Sequence, residues 1–245
     1  MPRFFVPADD VAEGKAKLAG SEFRHLMRVL RLREGDALTL FDDRGREHDG
    51  VILSLSPRAA VVRITATSVP PRESPLALTL FQGIPKGRKM DLVVEKATEL
   101  GVRAIVPFAS AFAAGAAAIA TAKHERWTRI ALAAAKQSGR IAVPTVRQAV
   151  TFPEVLAAAS ADELRLLFFE GAGGVPLAAL PAAAPAGVAV VVGPEGGFSR
   201  EEVSAARDAG FTVLGLGPRI LRTETAALVA VTLVQARWGD LGAGR

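Results

Sequence analysis

The sequence predicts an α/β protein in which a small β-rich region precedes a larger region with a mostly parallel sheet. Short strand-like runs separated by turn residues fill residues 36–69, and strand-like and helix-like runs alternate from Leu76 onward. Between them lies "PPRESP", Pro70 to Pro75, whose composition is typical of a linker. We therefore predict two domains, at residues 1–70 and 71–245.

The first region has the pattern of a small β-barrel. Its strands lie within "DALTLFDDRGREHDGVILSLSPRAAVVRITATSV" and are separated by Asp-Arg-Gly and Ser-Pro-Arg turns. One helix, "SEFRHLMRVLRL", is predicted before these strands. Phe23, Leu26, Met27 and Leu30 fall at helical spacing and form its predicted buried face.

The same helix carries a basic stripe. Arg24, Arg28 and Arg31 recur at i, i+4 and i+7, with His25 beside them. Like charges at this spacing repel one another, and a phosphate backbone would relieve that repulsion. The stripe predicts either an RNA contact or a solvated face with partners elsewhere.

Strands and helices alternate along the second region, which predicts a parallel sheet with helices on both faces. The predicted strands are "LALTLFQG", "VRAIVPF", "LRLLFFEG", "VAVVVGPEGG" and "FTVLGLG". The predicted helices are "KMDLVVEKATELG", "HERWTRIALAAAKQSG", "REEVSAARDAG" and "TETAALVAVTLVQARW". Residues 109–122, rich in alanine, fit either a helix or a mobile loop.

Two glycine-rich turns follow predicted strands of this sheet. They are "GPEGGFS" at residues 193–199 and "LGLGPRILRTETA" at 214–226, and neither matches a dinucleotide or P-loop fingerprint. Ser199 and Glu202 form a capping box, so a helix is predicted to begin there. Because the carboxyl ends of parallel strands bind ligands in open α/β sheets, both turns are candidate ligand sites.

Ionisable residues are concentrated in the second turn and in one further loop. Glu224 suits the start of a helix, whereas Arg222 faces the positive end of the helix dipole and so predicts a carboxylate or phosphate partner. Arg219 and Thr225 lie in the same turn. The loop "QGIPKGRKMD", residues 82–91, adds a basic cluster of the kind that binds phosphates.

The composition excludes several classes of chemistry. The chain has no cysteine, which removes disulfides, thiolate nucleophiles and cysteine-type zinc sites, and its three histidines are scattered, so no metal is expected. No apolar run approaches a membrane span and the N-terminus does not resemble a signal peptide, so we expect a soluble cytoplasmic protein. The net charge of +5 suits a polyanionic partner.

Five stretches together resemble the RsmE-type ribosomal RNA uridine-N3 methyltransferases of the SPOUT superfamily. They are "HLMRVLR", "KGRKMDLVVEKATELGV", "RW…A…QSGR…P", "GPEGGFS…E" and "LGPRILRTETA", which occur in the family's order and span residues 25–226. The resemblance implies a C-terminal trefoil-knotted domain after a PUA-like barrel. It also implies S-adenosylmethionine as cofactor, a homodimer, and methylation of uridine N3 in the 16S rRNA of the small ribosomal subunit.

The resemblance further implies roles for individual residues. The residues implied to bind the cofactor are Gly193, Glu195, Gly197, Leu214, Leu216, Gly217, Ile220 and Leu221. The residues implied to bind RNA are His25, Arg28, Arg31, Lys86, Arg88 and Lys89. Arg222, Glu224 and Thr225 are implied to lie where the methyl donor meets the uracil, with Glu195 as a further catalytic candidate. Either Glu224 or Glu195 would take the N3 proton, and Arg222 would stabilise the anionic base.

The sequence departs from this family at two places, and two other functions compete with the one it implies. "FASAFAAGAAA" replaces an acidic-Arg-Ser stretch, and Lys136 stands where an acid is expected. One alternative is a SPOUT methyltransferase acting on tRNA or 23S rRNA, with either N3 or, in its place, a ribose oxygen as the methyl acceptor. The other is an RNA-binding homologue that has lost catalysis.

Overall fold

The computed structural model describes residues 1–110, 116–158, 163–171 and 175–242, of which residues 116–121 and Glu163 are described by their backbone alone. These residues form two compact units. The first comprises Met1–Glu73 together with Ala135–Val143, and the second comprises Ser74–Ala134 and Pro144–Arg245. Ala135–Val143, from the middle of the chain, therefore belongs to the first unit. For this reason the two units do not correspond to two continuous stretches of the sequence.

The first unit is built on a mixed sheet. Its described strands are β1 (Arg3–Phe5), β2 (Val11–Ala12), β3 (Lys15–Ala19), β4 (Ala37–Phe41), β5 (Glu47–Leu55) and β6 (Ala59–Ser68). They are ordered β1-β4-β5-β6-β3-β2, and every neighbouring pair is antiparallel except β1 with β4. The fully buried core includes Phe4, Leu18, Leu26, Leu38, Leu40 and Val62. Strands β4 to β6 confirm the predicted β-rich region.

Strands β1 to β3 were not predicted. The turn between β2 and β3 lacks a typical turn sequence, and β1 lies outside this hairpin and pairs with β4. Glu13 and Gly14 both have positive φ angles, 50° and 70°, which is the geometry of a two-residue hairpin. Such turns usually carry Asn-Gly or Asp-Gly, since a glutamate rarely adopts the left-handed region.

The predicted helix at residues 21–32 is present but changes its winding halfway. Helix α1 (Gly20–His25) continues directly into a π-helical turn, Leu26–Leu30, which ends where Arg31 takes a left-handed φ of 53°. A π-turn has more residues per turn than an α-helix, so the predicted buried face was only half right. Phe23 and Leu26 are buried, whereas Met27 and Leu30 are 38% and 40% exposed.

Lys136, the residue that departs from the family pattern, has an acidic partner within the first unit. Its Nζ lies 3.0 and 2.8 Å from the two carboxylate oxygens of Glu22, and it stands 5.3 Å from the centroid of the Phe4 ring. Glu22 also accepts a hydrogen bond from the backbone N–H of Phe5. The lysine is therefore a paired cation in a largely buried position.

The second unit is built on a parallel sheet. Its described strands are β7 (Ala77–Gly83), β8 (Ala104–Ala109), β9 (Thr145–Val146), β10 (Val150–Thr151), β11 (Glu163–Phe168), β12 (Gly187–Val192) and β13 (Thr212–Leu214). The order is β10-β8-β7-β12-β11-β13, β9 also pairs with β8, and all these pairs are parallel. All six residues of β12 are buried, as expected for a central strand covered on both faces.

Helices alternate with these strands as the sequence predicts. They are α2 (Lys89–Glu99), α3 (Ala116–Ser138), α4 (Phe152–Ala158), α5 (Arg200–Asp208) and α6 (Thr223–Trp238), and the last residues of α3 lie in the first unit. Helix α4 and strands β9 and β10 were not among the predicted elements. The α/β fold class with a mostly parallel sheet is thus confirmed. Residues 111–115 of the alanine-rich stretch lie outside the described residues. The trefoil knot, which depends on chain threading, stays a prediction.

The composition of the sequence predicts neither a membrane-spanning segment nor a metal site. In the part of the chain that the structure describes, no helix is both long and apolar enough to cross a membrane. The same residues contain no group of three or more side chains arranged to hold a metal ion.

We predict that Lys136→Glu, the acid expected at this position, destabilises the protein. Two carboxylates would then face each other where Lys136 and Glu22 now pair in a position only 17% and 13% exposed. The loss in the free energy of unfolding should be about 2 kcal/mol or more, measured by urea denaturation. Lys136→Glu combined with Glu22→Lys should recover most of it, and a single variant as stable as the wild type would contradict the pairing.

Candidate active site

A cavity of about 390 Å³ lies at the carboxyl edge of the parallel sheet. Strands β7, β11, β12 and β13 end level with one another there, because Val192 is in register with Gln82 and with Phe168, which is in turn in register with Leu214. The loops after these strands and the start of α6 form its walls. The lining residues are Lys89, Phe168–Glu170, Val192–Glu195, Gly197, Phe198, Leu216, Gly217, Arg219–Thr223 and Ala226.

The first glycine turn forms one wall of this cavity. Gly197 has a φ of 67°, and a Cβ built there would lie 3.3 Å from Oε1 of Glu170. The turn ends at the predicted capping box, in which the Ser199 N–H donates to Glu202 at 2.9 Å and the Glu202 N–H donates to the Ser199 hydroxyl at 3.1 Å. Gly193 and Gly197, which have no side chains, therefore present backbone to the cavity, and the start of α5 anchors the turn.

A buried polar network connects this turn to the neighbouring strand and to α6. The Thr223 hydroxyl donates to the Gly193 carbonyl at 2.5 Å and accepts from Nε2 of Gln82 at 2.9 Å. Gln82 also donates to the Gly83 carbonyl. Gln82 and Thr223 are buried, so these bonds are shielded from water and fix the position of Gly193.

The glycine at the end of β7 permits a close approach of the same turn. A Cβ built on Gly83 would lie 2.4 Å from both the backbone nitrogen and Cδ of Pro194. Any side chain at Gly83 would push the turn away from the sheet.

Glu195 joins the turn to the start of α2. Its carboxylate accepts from the Lys86 N–H at 3.1 and 3.2 Å and from Nζ of Lys89 at 2.8 Å. Burial acts to raise the pKa of Glu195, but the hydrogen bonds from Lys89 and from backbone N–H groups outweigh it and hold that pKa below its usual value. Glu195 is therefore ionised at neutral pH, with both oxygens already engaged.

Glu224 is the second carboxylate near Lys89, and it is bound differently. Its Oε2 lies 3.8 Å from Nζ of Lys89 and is buried without a hydrogen-bond partner among the described residues. Its side chain is 16% exposed. The two candidate bases thus differ in structure: one oxygen of Glu224 is free to accept a proton or a hydrogen bond.

The second glycine turn forms the outer wall of the cavity. Ile220 is 81% exposed, which is unusual for a large apolar side chain, and Arg222 is exposed immediately before α6. Among the described residues Arg222 has no ion-pair partner, so the carboxylate or phosphate predicted to accompany it is not supplied by this part of the chain.

The structure brings most of the sequence-predicted cofactor residues to this cavity. Those that line it are Gly193, Glu195, Gly197, Leu216, Gly217, Ile220 and Leu221, joined by Lys89 and Arg222. Leu214 is buried in β13 and does not line it, and neither do Glu224, Thr225, Lys86 or Arg88. His25, Arg28 and Arg31 belong to the first unit, where the arginines are exposed and His25 packs edge-on against Phe4.

Sequence reasoning missed several residues of the site. The buried Gln82 and Thr223 were not singled out. Neither were Phe168, the last residue of β11, and Phe169 and Glu170, which follow it. Phe168 to Glu170 lie at the carboxyl end of a predicted strand, the same signal that identified the two glycine turns.

Family models match both regions of the chain. A model described as an RNA methyltransferase domain matches residues 72–235, and one described as an RNA methyltransferase PUA domain matches residues 18–65. The second match confirms the predicted PUA-like region.

Similar proteins and structures agree with these models. The ribosomal RNA small subunit methyltransferase E of Bacillus subtilis is 33% identical over 225 residues, covering 89% of this chain and 88% of its own. The crystal structure of a protein of that name from Neisseria gonorrhoeae, bound to S-adenosyl methionine, is 36% identical, with a TM-score of 0.89 and coverage of 98% and 99%. A putative methyltransferase from Legionella pneumophila, in complex with the same cofactor, is 35% identical, with a TM-score of 0.89 and coverage of 98% of both chains.

The order of the elements, the two glycine turns around one cavity and these similarities lead to one family. The chain belongs to the ribosomal RNA small subunit methyltransferase E family.

Proposed function

We propose that this protein transfers a methyl group from S-adenosylmethionine to N3 of a uridine in 16S ribosomal RNA. The observation that carries the proposal is the cavity between the two glycine turns, in a chain similar to structures that contain S-adenosyl methionine. Methylating 16S rRNA with the purified protein, and locating the methyl group on the nucleotide by mass spectrometry, tests both cofactor and acceptor atom. A methyl group on a ribose oxygen would contradict the uridine N3 assignment.

The residues present fit S-adenosylmethionine. The cavity volume lies within the range of roughly 300–1,000 Å³ typical of small-molecule sites. Its walls combine the backbone of Gly193 and Gly197 with the apolar side chains of Leu216, Ile220 and Leu221. We propose that the backbone and Gly217 hold the polar groups and that the apolar side chains hold the adenine ring.

The reaction requires loss of the N3 proton as nitrogen forms its bond to the methyl carbon. When bound, S-adenosylmethionine supplies that carbon on a positively charged sulfur, which keeps the electron pair of the broken S–C bond. We propose that Oε2 of Glu224 accepts the N3 proton: Glu224 does not itself line the cavity, but this oxygen lies 3.8 Å from Nζ of Lys89, which does, and it has no hydrogen-bond partner among the described residues. Glu195 is the weaker candidate, since hydrogen bonds engage both its oxygens and its pKa is lowered.

Two cations are placed to stabilise negative charge on the uracil. Lys89 lies between Glu195 and Glu224, and Arg222 is exposed on the cavity wall without a described ion-pair partner. We propose that Arg222 contacts the anionic base and that Lys89 positions both carboxylates. Thr225 is exposed on the first turn of α6 and remains a candidate contact to the RNA.

We also propose that the protein is a homodimer that acts on the small ribosomal subunit in the cytoplasm. Helix α6 buries Ala227, Val231 and Val234 but leaves Leu233 39% exposed and Val229 only partly covered. Val229 and Leu233 are four residues apart and share a helix face, so a second copy of the chain is a natural cover for them.

Gly197→Val should abolish S-adenosylmethionine binding while the protein stays folded. A branched side chain at a φ of 67° is strained by about 1–2 kcal/mol and would distort the cavity wall. Isothermal titration calorimetry measures the affinity. The matched control is Gly45→Val, which has a similar φ of 72° in the first unit and should keep wild-type affinity. Wild-type affinity in Gly197→Val would remove this turn from the cofactor site.

Glu224→Gln should reduce kcat roughly 100-fold or more, because an amide cannot accept the N3 proton. Its affinity for S-adenosylmethionine should be unchanged. Glu195→Gln should reduce kcat less, since we assign it a positioning role. Single-turnover methylation of 16S rRNA measures both variants, and a larger kcat loss in Glu195→Gln would reverse the assignment of the base.

Leu233→Asp should convert the dimer into monomers of about 25.6 kDa in light scattering, because a carboxylate would be buried in the proposed interface. Leu53→Asp is the matched control, since Leu53 is 46% exposed in the first unit. A wild-type protein that is monomeric and fully active would contradict the dimer, and a dimeric Leu233→Asp would exclude this helix face.

A further inference from the structure

The π-helical turn of the first unit carries exposed apolar side chains. Met27, Val29 and Leu30 are 38%, 64% and 40% exposed, and the turn ends at Arg31 in a left-handed conformation. π-Turns and left-handed non-glycine residues are unfavourable and are frequent at functional sites. The turn therefore presents apolar surface to a ligand or partner.

The same surface carries arginines without acidic partners. Arg24, Arg28 and Arg58 are exposed, and among the described residues they make no ion pair or side-chain hydrogen bond. Five other arginines of this unit are paired: Arg3 and Arg72 with Glu47, Arg44 with Asp9, Arg46 with Asp42, and Arg140 with Glu73. Arg31, Arg33 and Arg63 are exposed and likewise have no ion-pair partner among the described residues. Three of the unpaired arginines, Arg24, Arg28 and Arg58, thus lie together on the surface beside the π-turn.

These arginines border one groove, which we call the arginine groove. It is lined by Gly20, Phe23, Arg24, Met27, Arg28, Ser56, Pro57 and Arg58, and its volume is about 580 Å³. Two hydrogen bonds close the turn on its far side: the Ser56 hydroxyl donates to the Ala59 carbonyl at 2.9 Å and accepts from the Ala59 N–H at 3.1 Å. Its lining includes three cations and no carboxylate.

We propose that the arginine groove binds one unpaired nucleotide of single-stranded RNA. The base lies against the apolar side chains of Met27 and Pro57, and the guanidinium groups of Arg24, Arg28 and Arg58 bind the flanking phosphates. This inference rests on the proposed function, because it assumes an RNA substrate. It extends that function to Arg24, Met27 and Arg58, which the resemblance does not assign to RNA.

Charge favours RNA over a protein as the occupant. Three like charges around one groove repel one another, and phosphates neutralise them while releasing counterions. A protein partner would have to place several carboxylates at matched positions around an apolar side chain. A single-stranded nucleic acid provides the same alternation of anions and apolar faces in every nucleotide.

The proposal is tested by fluorescence anisotropy on the full chain with two probes. One is a fluorescein-labelled ten-nucleotide oligouridylate, and the other is an abasic chain of the same length. The wild type should bind the oligouridylate more tightly. Met27→Ser should weaken that binding about fivefold and leave the abasic chain unaffected.

Arg24→Ala with Arg58→Ala should weaken the binding of both probes and flatten the salt dependence by about 1.4 units of slope, or about 0.7 for each lost phosphate contact. The matched control is Arg33→Ala with Arg63→Ala. It removes two exposed arginines of the same unit that lie outside the groove, and its affinity should stay within about twofold of the wild type.

Two results would overturn the proposal. One is equal effects of the groove and control double variants, which would mean that the charge acts without a defined site. The other is unchanged oligonucleotide binding in every variant together with self-association that Met27→Ser abolishes, which would assign the surface to protein contact.

Methylation of 16S rRNA by the wild type is measured in parallel. Its absence would contradict the proposed function, whereas methylation that all groove variants share would contradict the groove alone.

Discussion

The parallel register of four strands is the constraint on which the candidate site depends. Because Gln82, Val192, Phe168 and Leu214 lie level with one another, the chain leaves the sheet at one edge four times. The connecting loops must share the space above that edge, and close packing there is possible only where the backbone lacks side chains. Buried hydrogen bonds from Thr223 then hold the first turn in place. The cavity lies between these loops, whose starting points are fixed by the strands of the sheet.

The second unit was predictable from sequence because its elements are locally determined. Central strands such as β12 are continuous apolar runs bounded by glycine and proline, and α5 begins at a capping box that is readable from two residues. The elements of the first unit were harder to predict from the sequence. Strands β2 and β3 depend on a hairpin turn with a left-handed Glu13, and β1 pairs with β4, far along the chain. The face of α1 depends on a π-turn, and apolar periodicity reveals none of these features.

The candidate site was partly predictable for the same reason. Glycine turns and charged residues stand out in a sequence, and most of them line the cavity. Gln82 and Thr223 are 141 residues apart and acquire their role only through contact, as does Gly83 through Pro194. The difference between Glu195 and Glu224 likewise has no sequence signal. It arises from hydrogen bonds that Lys86 and Lys89 give to one carboxylate and not to the other.

The contact between Lys136 and Glu22 has a consequence for how this sequence can change over evolutionary time. Each residue neutralises the other across 114 positions of the chain, so a change of sign at either one alone passes through an unpaired or repelling intermediate. Their substitutions are therefore coupled, and homologues should differ at both positions or at neither. The order of the two changes matters as well: a neutral residue at position 136 is the least damaging first step, because Glu22 keeps its bond to the Phe5 backbone.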